Sequence, residues 1–127
     1  MLNYSSRALI HVLVDTGSSD LWVASSKCKT SVCKSTNMPP YPSSHINATG
    51  GSVDLQYGDS STGTIASGPI AQDTTTVAGL SLPQQPFAAI SNTNNTSVMQ
   101  GANGILGLGF PSGRCVFHIL ILYGSRV

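Results

Sequence analysis

The sequence predicts an all-β fold, and three observations support this prediction. Runs rich in Val, Ile, Leu and Thr are short and are separated by Gly, Pro and Asn clusters. Val53, Leu55 and Tyr57 alternate with polar residues, which is the period-two pattern of a half-buried strand. No segment sustains the 3.6-residue period of an amphipathic helix. A β-barrel or sandwich in a single domain is therefore expected, because 127 residues can bury one modest core.

The first part of the chain is predicted to hold two strands joined by a turn. Residues 1–9 show no clear period and no recognisable strand. A strand is expected from Ile10 to Val14, and Leu21-Trp22-Val23 should form a second strand after the turn. The stretch from Lys34 to Gly51 carries three prolines, so it is predicted to be a surface loop.

A β-hairpin with a flexible tip is predicted next. The alternating strand ends at Tyr57, and a new strand resumes at Thr64-Ile65 after a Gly- and Ser-rich turn. Further short strands, divided by Gly79, Pro83 and Pro86, are expected in the second half: Ile70–Val77, Leu80–Leu82, Phe87–Ile90 and Gly104–Gly109. The Asn-rich stretch from Asn92 to Ser97 is predicted to be a loop.

Asp15 is the candidate catalytic residue. It follows an apolar run and directly precedes a Thr-Gly turn, and a second apolar run begins after that turn. Gly17 permits a tight bend. The hydroxyls of Thr16, Ser18 and Ser19 can donate to the carboxylate and favour its ionised form. The same residue types also suit an ordinary hairpin turn, so the triplet alone leaves both interpretations open.

Four motifs, in this order, resemble those of the pepsin-like aspartic proteases: DTGSSDLWV from Asp15, CKTSVC from Cys28, YGDSS from Tyr57 and NGILGLG from Asn103. The first is similar to the active-site signature of that family, and the second to its small disulfide loop. The third is similar to its flap, and the fourth to its hydrophobic-hydrophobic-glycine segment. Together they span most of the chain from Val12 to Pro111.

This resemblance implies a fold and a role for each matching residue. Residues 10–112 would form the N-terminal lobe of a pepsin-like acid protease barrel, which is incomplete as a whole enzyme. Asp15 would be catalytic, and these residues would support it: Thr16, Gly17, Ser18 and Trp22. Trp22 would also back the flap residue Tyr57. Gly58 and Asp59 would hydrogen-bond a peptide substrate, and Ile105 would line a substrate pocket.

The implied activity is acid endopeptidase cleavage by water activated between two aspartates, with no metal or organic cofactor. No second copy of the signature is present, because none of the other four aspartates is followed by Thr-Gly or Ser-Gly. One carboxylate alone cannot share a proton with a partner, so the isolated chain is expected to be inactive.

Three alternatives to a fragment of a two-lobed protease remain open. Two copies could pair and bring together two Asp15 residues. The chain could instead bind peptides without cleaving them, or it could be unstable and functionless. Besides a peptide or protein substrate, the expected partner is the missing C-terminal lobe or a second copy of this chain. Without such a partner, apolar surface would be exposed.

Composition excludes some classes of partner. Charged residues make up 9% of the chain and the formal net charge is +1, without basic or acidic runs, so neither nucleic acid nor a membrane is expected. The polar character comes from Ser, Thr, Asn, Gln and Gly, which is more typical of secreted domains. Asn47, Asn94 and Asn95 begin possible glycosylation sequons.

Three cysteines leave one without a pair. Cys28 and Cys33 close a short loop, and we expect them to pair as a disulfide in an oxidising compartment. A zinc site is disfavoured, because it would need further Cys or His ligands and His45 alone does not supply them. His118 has no nucleophile signature near it, so a Ser-His-Asp site is disfavoured.

The two ends depart from the family pattern. No secretory signal is visible before Val14, so the chain is expected to lack its true beginning, and a secreted or vacuolar location is inferred without it. The family's usual first strand and Gly-Thr-Pro turn are also missing from residues 1–9. The tail from Gly113 to Val127 is interpreted as an aberrant reading frame, a retained intron or a truncation, with a genuine final strand as the alternative. Val116–Tyr123 is too short to cross a bilayer.

Overall fold

The computed structural model describes residues 2–4, 9–58 and 63–109, and within them it confirms the all-β fold. Strands predominate, and the helical content of this part is limited to single turns. The strands are β1 (Leu2–Tyr4), β2 (Leu9–Ile10), β3 (Leu13–Asp15), β4 (Leu21–Ala24), β5 (Ala48–Tyr57), β6 (Thr64–Val77), β7 (Leu80–Ile90), β8 (Asn92–Thr93) and β9 (Gly104–Gly107). The helical turns are α1 (Ser31–Lys34), α2 (Thr96–Met99) and a 3₁₀ turn at Ser43–His45.

These strands form one sheet in the order β2-β1-β6-β7-β4-β9-β3, and β5 and β8 also pair with β6. The pairing of β4 with β9 is antiparallel, whereas β4 with β7 and β3 with β9 are parallel. Strand β9 therefore lies between β3, which ends at Asp15, and β4, which begins a few residues after the Thr16-Gly17 turn.

The core is divided between the two faces of the central strands. Along β4, Leu21 and Val23 belong to one buried cluster, whereas Trp22 and Ala24 belong to the other. Alternate side chains of a strand point to opposite faces, so a strand buried on both faces needs apolar residues at every position. This explains the continuous apolar sequence of β4, all of which is buried.

The predicted hairpin is present and is longer than expected. Strands β5 and β6 pair antiparallel from Tyr57↔Thr64 back to Ala48↔Ala71, with an irregularity between Ala48 and Ser52. Residues 59–62 of its tip lie outside the described part of the chain. Strand β6 continues to Val77, where it pairs with β1 and β7.

The prediction for the N-terminal residues is wrong in two respects. Residues 2–4 form a strand, β1, that pairs with β2 and with the end of β6. The strand expected from Ile10 to Val14 is divided, because the chain changes neighbours: β2 pairs with β1, whereas β3 pairs with β9. Both differences arise from pairing between distant segments, which local sequence does not encode.

The stretch from Lys34 to Gly51 is not wholly a surface loop. Tyr41 within it is 0% exposed and packs edge-on against Phe87, with ring centroids 5.1 Å apart. Its hydroxyl donates to Asp73 Oδ2 at 2.7 Å and to the His45 carbonyl oxygen at 3.2 Å. The end of the stretch is already part of β5.

Pro83 and Pro86 do not divide the strand in which they lie. Strand β4 pairs with β7 only at its end, from Ala88 to Ile90, so the proline segment has a single described neighbour, β6. Proline is tolerated at such an edge because no donor is needed on the open side. The register shifts in this segment, and Gln84 takes a positive φ of 55°.

The segment from Asn92 to Ser97 is also more ordered than a loop. It contains β8, which pairs with β6, and the start of α2. Asn95 caps α2, since its side chain accepts a hydrogen bond from Val98 N at 3.1 Å. Asn95 is only 7% exposed and is thus a poor glycan acceptor, whereas Asn47 and Asn94 are exposed.

The remaining predictions for the ends of the chain lie mostly outside the described residues. These include the tail from Gly113 to Val127 and the family boundary at residue 112, which stay predictions. Over the residues that are described, the structure contains no helix with the length and apolar character needed to cross a membrane.

Candidate functional site

Asp15 is the last residue of β3 and opens the turn formed by Thr16 and Gly17. Its side chain is half-buried, and its Oδ1 atom accepts a hydrogen bond from Gly17 N at 3.0 Å. A backbone donor of the turn therefore fixes the direction of the carboxylate.

Hydrogen bonds from the end of β9 hold this turn in place. Leu108 N donates to the Asp15 carbonyl at 2.8 Å, and Gly109 N donates to the Ser18 carbonyl at 2.7 Å. Both donors come from the glycine-rich motif, so the position of the carboxylate depends on a segment more than ninety residues later in the sequence.

Two glycines allow this close approach of backbones. A Cβ atom added at Gly107 would lie 2.6 Å from the Ser18 carbonyl oxygen and 2.7 Å from Asp20 N. A Cβ atom added at Gly109 would lie 2.9 Å from the carbonyl oxygens of both Thr16 and Ser18. Since real Cβ contacts below 3.0 Å are essentially never seen, the glycines are required for β9 to pass against the turn.

Trp22 and Tyr57 form a hydrogen-bonded pair beside the turn. Trp22 is 0% exposed, and its Nε1 atom donates to Tyr57 Oη at 3.0 Å. The pKa of Tyr57 is raised to about 12, mainly because burial desolvates the phenol. The Trp22 hydrogen bond lowers the pKa by a smaller amount, and the charges of Asp20 and Asp15 contribute to the increase. The phenol is therefore neutral over the whole range in which a carboxylate titrates, and it lies within the electrostatic reach of Asp15.

Residues 5–121 match the family model described as eukaryotic aspartyl protease. The chain belongs to the eukaryotic aspartyl protease family. The matched region contains Asp15, its turn, the hairpin that carries Tyr57, and β9, so the family match and the site geometry concern the same residues.

Curated aspartyl proteases from distant organisms are similar to this chain. It is 35% identical over 116 residues to an aspartic protease of Phaffia rhodozyma, covering 87% of this chain and 28% of the relative. It is 42% identical over 103 residues to cathepsin E-B of Xenopus laevis, covering 80% and 25%. It is 43% identical over 104 residues to pepsin-2B of Gadus morhua, covering 80% and 31%. The chain thus spans between a quarter and a third of the length of these relatives.

The structure brings most of the residues predicted from the family motifs into one region. Asp15, Thr16, Gly17 and Ser18 form the turn, and Trp22 connects it to the hairpin. The roles assigned to these residues stay predictions, because position alone does not test them.

The remaining flap and pocket residues are placed unevenly. Gly58 follows Tyr57 with a φ of 81° and is exposed, whereas Asp59 lies outside the described residues. Ile105 is 3% exposed and belongs to the same buried cluster as Trp22, and the partly buried Tyr57 packs against this cluster. The expected place of Ile105 in a substrate pocket stays a prediction.

The structure corrects the expectation that the hydroxyls of Thr16 and Ser18 donate to Asp15, whereas the same expectation for Ser19 stays a prediction. Ser18 Oγ is buried and has no hydrogen-bond partner among the described residues, and Thr16 is exposed without a side-chain hydrogen bond to them. The Gly17 backbone amide holds the carboxylate instead. A Thr-Gly turn presents this amide two residues after the aspartate. The donor therefore arises from the backbone geometry of the turn, and the side-chain types in the sequence do not reveal it.

The predicted disulfide is confirmed. Cys28 and Cys33 are bonded, with Cα atoms 5.9 Å apart. Thr30 caps the intervening α1 turn by accepting from Cys33 N, and its hydroxyl donates to the Thr93 carbonyl at 3.0 Å. Among the described residues, no group of three or more His, Cys, Asp and Glu side chains is placed to hold a metal ion.

One structural residue of the site was missed at the sequence level. Asn103 is 0% exposed, and its Nδ2 atom donates to the carbonyls of Met38 and Pro39, each at 2.8 Å. It thereby ties the start of β9 to the proline-rich segment. It was visible as the first residue of the fourth motif, but its partners lie about 65 residues away.

Proposed function

We propose that this chain contributes Asp15 as one of the two carboxylates of an aspartic-type endopeptidase that cleaves peptide or protein substrates in acid. The observation that carries the proposal is the Asp15 turn. A half-buried carboxylate is oriented by the Gly17 amide and anchored through Leu108, beside a hairpin that presents Tyr57. Family membership supports this class of activity.

The chemistry requires a second carboxylate close to Asp15. Two adjacent carboxylates share one proton, because both cannot ionise cheaply. The ionised member takes a proton from water while the water oxygen attacks the peptide carbonyl carbon, and the protonated member donates to the carbonyl oxygen. Collapse of the tetrahedral species breaks the C–N bond: the carboxyl that took the proton from water gives it to the leaving amine, and the other carboxylate recovers its proton from a hydroxyl of the tetrahedral carbon, which becomes the new carboxylic acid. No metal or organic cofactor is needed for these steps.

The second carboxylate is proposed to come from a partner surface. Asp20, Asp54, Asp59 and Asp73 lack the following Thr-Gly or Ser-Gly. The apolar side chains that precede Asp15 on β3 are open: Leu13 is 48% exposed and Val14 is 56% exposed. Exposed apolar residues beside a carboxylate support a covering partner, either a C-terminal lobe of the same enzyme or a second copy of this chain.

The test is peptide cleavage at acid pH by the 127-residue chain, alone and mixed with a C-terminal half taken from a relative. Asp15→Asn keeps the shape of the side chain and removes the proton-transfer group, so it should abolish any cleavage. Asp54→Asn is the matched control, because Asp54 is an exposed residue of β5. Equal activity in the Asp15→Asn variant would overturn the proposal.

The same assay distinguishes the second copy from a separate lobe. For a homodimer, activity should rise with the square of the chain concentration, and excess Asp15→Asn chain should suppress wild-type activity. For a separate lobe, the isolated chain should remain inactive at every concentration. The exposed Leu13 and Val14 are compatible with both partners.

A peptide-binding role without cleavage is the second candidate, because Tyr57 on the hairpin is near enough to Asp15 for that charge to raise its pKa, and the next residue, Gly58, is exposed. Binding of an uncleaved peptide, weakened by Tyr57→Ala and unaffected by Asp15→Asn, would favour it. Undetectable binding would exclude it.

A secreted or vacuolar location is proposed from the Cys28–Cys33 disulfide, since such bonds persist in oxidising compartments. A fusion of this chain to a redox-sensitive fluorescent reporter in the native cell would test it. A cytosolic signal with free thiols would contradict it.

A further inference from the structure

A cavity lies beside the disulfide loop, and none of the residues proposed for catalysis lines it. Its volume is about 330 Å³, which lies at the lower end of the range for small-molecule sites. The disulfide Cys28–Cys33, the proline-rich segment around Met38 and Pro40, and the buried Met99 of α2 form its apolar walls.

The mouth of the cavity is positively charged. Lys29 and Lys34 line it, are exposed, and form no ion pair with any described residue. Lysine side chains lay their methylene stems along apolar surface and keep the ammonium group in water. No aspartate is among the lining residues. The charge at this mouth therefore favours an anion.

The inner wall contains an unused hydrogen-bond acceptor. Asn103 lines the cavity and is 0% exposed, and its Oδ1 atom has no hydrogen-bond partner among the described residues. Its amide nitrogen already donates to Met38 and Pro39. The assignment of oxygen and nitrogen is therefore fixed, since two carbonyls require the NH₂ group on that side. That oxygen is itself buried, so Asn103 belongs to the wall that holds Met38 and Pro39 in place and is not a contact for a bound molecule.

We propose that this cavity binds a small carboxylate with an apolar body. The carboxylate lies between the ammonium groups of Lys29 and Lys34, and the apolar body lies against Met38, Pro40 and Met99. The volume limits the ligand to the size of a single modified amino acid or an aromatic acid.

The probe for this proposal is N-acetylphenylalanine, and N-acetylphenylalaninamide is its neutral counterpart. Binding to the full chain is followed by shifts of backbone amide NMR signals during a titration. We expect the shifts to be largest at Ser26, Lys29 and Thr36, which line the cavity, and small at Asp15 and Tyr57, which do not. The neutral amide should bind about tenfold more weakly, because it loses attraction to two ammonium groups in a largely aqueous setting.

The matched variants are Lys29→Gln with Lys34→Gln, and Lys27→Gln as the control. Lys27 is exposed in the same segment and carries the same charge, but it does not line the cavity. The double variant should lose about tenfold in affinity, whereas the control should change it less than twofold. All three positions are exposed, so folding should be preserved.

Results of two kinds, in the affinities and in the position of the NMR shifts, would overturn the proposal. One is equal binding of the acid and the neutral amide, or a control variant that weakens binding as much as the double variant. The other is the absence of shifts at cavity residues at millimolar probe. Since Asp15 takes no part in this cavity, the result is independent of the proteolytic activity.

Discussion

Gly107→Ala should destabilise the fold and displace the Asp15 turn. The new methyl group would lie 2.6 Å from the Ser18 carbonyl oxygen, where an ordinary contact begins near 3.4 Å, so the two backbones must separate by about 0.8 Å. Hydrogen bonds cross this contact: Gly107 N to the Asp20 carbonyl at 3.0 Å, Leu108 N to Asp15 at 2.8 Å and Gly109 N to Ser18 at 2.7 Å. A separation of that size stretches them to or beyond the limit of a useful hydrogen bond.

The expected loss follows from these contacts. Two or three weakened hydrogen bonds at about 1 kcal/mol each, together with the strain of a crowded core, lower the free energy of unfolding by about 2–3 kcal/mol. Urea unfolding followed by the fluorescence of Trp22, the single tryptophan, measures it directly. Because the turn itself moves, the acid cleavage activity proposed above for Asp15 together with a second carboxylate should fall as well.

Two further glycines act as internal controls. Gly101→Ala should change stability by less than about 0.5 kcal/mol, because a Cβ atom there meets nothing within 4 Å and its φ is not in the left-handed region. Gly109→Ala should have an intermediate effect, since its contacts are 2.9 Å. A Gly107→Ala chain as stable as Gly101→Ala would refute the argument that the β9 glycines exist to admit the turn. If Gly107→Ala fails to fold, the comparison of Gly109 with Gly101 still decides the question.

Other predictions concern the flap pair, the disulfide and the buried tyrosine. The pKa of Tyr57 is raised from 10.0 to about 12 in the folded state, so between these pH values the native state keeps a proton that the unfolded chain has lost. The free energy of unfolding should therefore decline as pH rises from 10 to 12. In urea unfolding measured across this range, Tyr57→Phe should remove that part of the decline. Replacing Cys28 and Cys33 with serine should cost about 2 kcal/mol, because the short loop restricts the unfolded chain modestly, and a cost below about 0.5 kcal/mol in thermal unfolding would contradict this. Tyr41→Phe should cost about 1–3 kcal/mol, because the Tyr41 hydroxyl donates to Asp73 and the His45 carbonyl; an unchanged urea midpoint would show that those acceptors find other donors.

Local sequence was a good guide wherever one short segment determines its own structure. The β5–β6 hairpin follows from alternation that ends at Tyr57, and the strand at β4 follows from its apolar run. The turn at Asp15 follows from Thr-Gly after a strand. The disulfide between Cys28 and Cys33 could be predicted because CKTSVC resembles the small disulfide loop of the family and because His45 alone does not complete a zinc site.

Local sequence was a poor guide where a distant partner determines the outcome. Tyr41 lies among three prolines in a segment whose sequence is typical of a loop. It is nevertheless buried, because its ring packs against Phe87 and its hydroxyl donates to Asp73. Pro83 and Pro86 stay within β7 because that part of the strand has one open edge. The division between β2 and β3 likewise depends on which strand lies beside each.

The sequence by itself determined the all-β class, the family and the identity of the candidate catalytic aspartate, because these depend on residue pattern over short spans. Only the tertiary structure decided which donor orients Asp15, that Ser18 is not that donor, and that Trp22 holds the Tyr57 hydroxyl. It also revealed the cavity beside the disulfide loop. The physical reason is the same for each: hydrogen-bond geometry and enclosed volume are set by segments that meet in space after being separated by tens of residues in the chain.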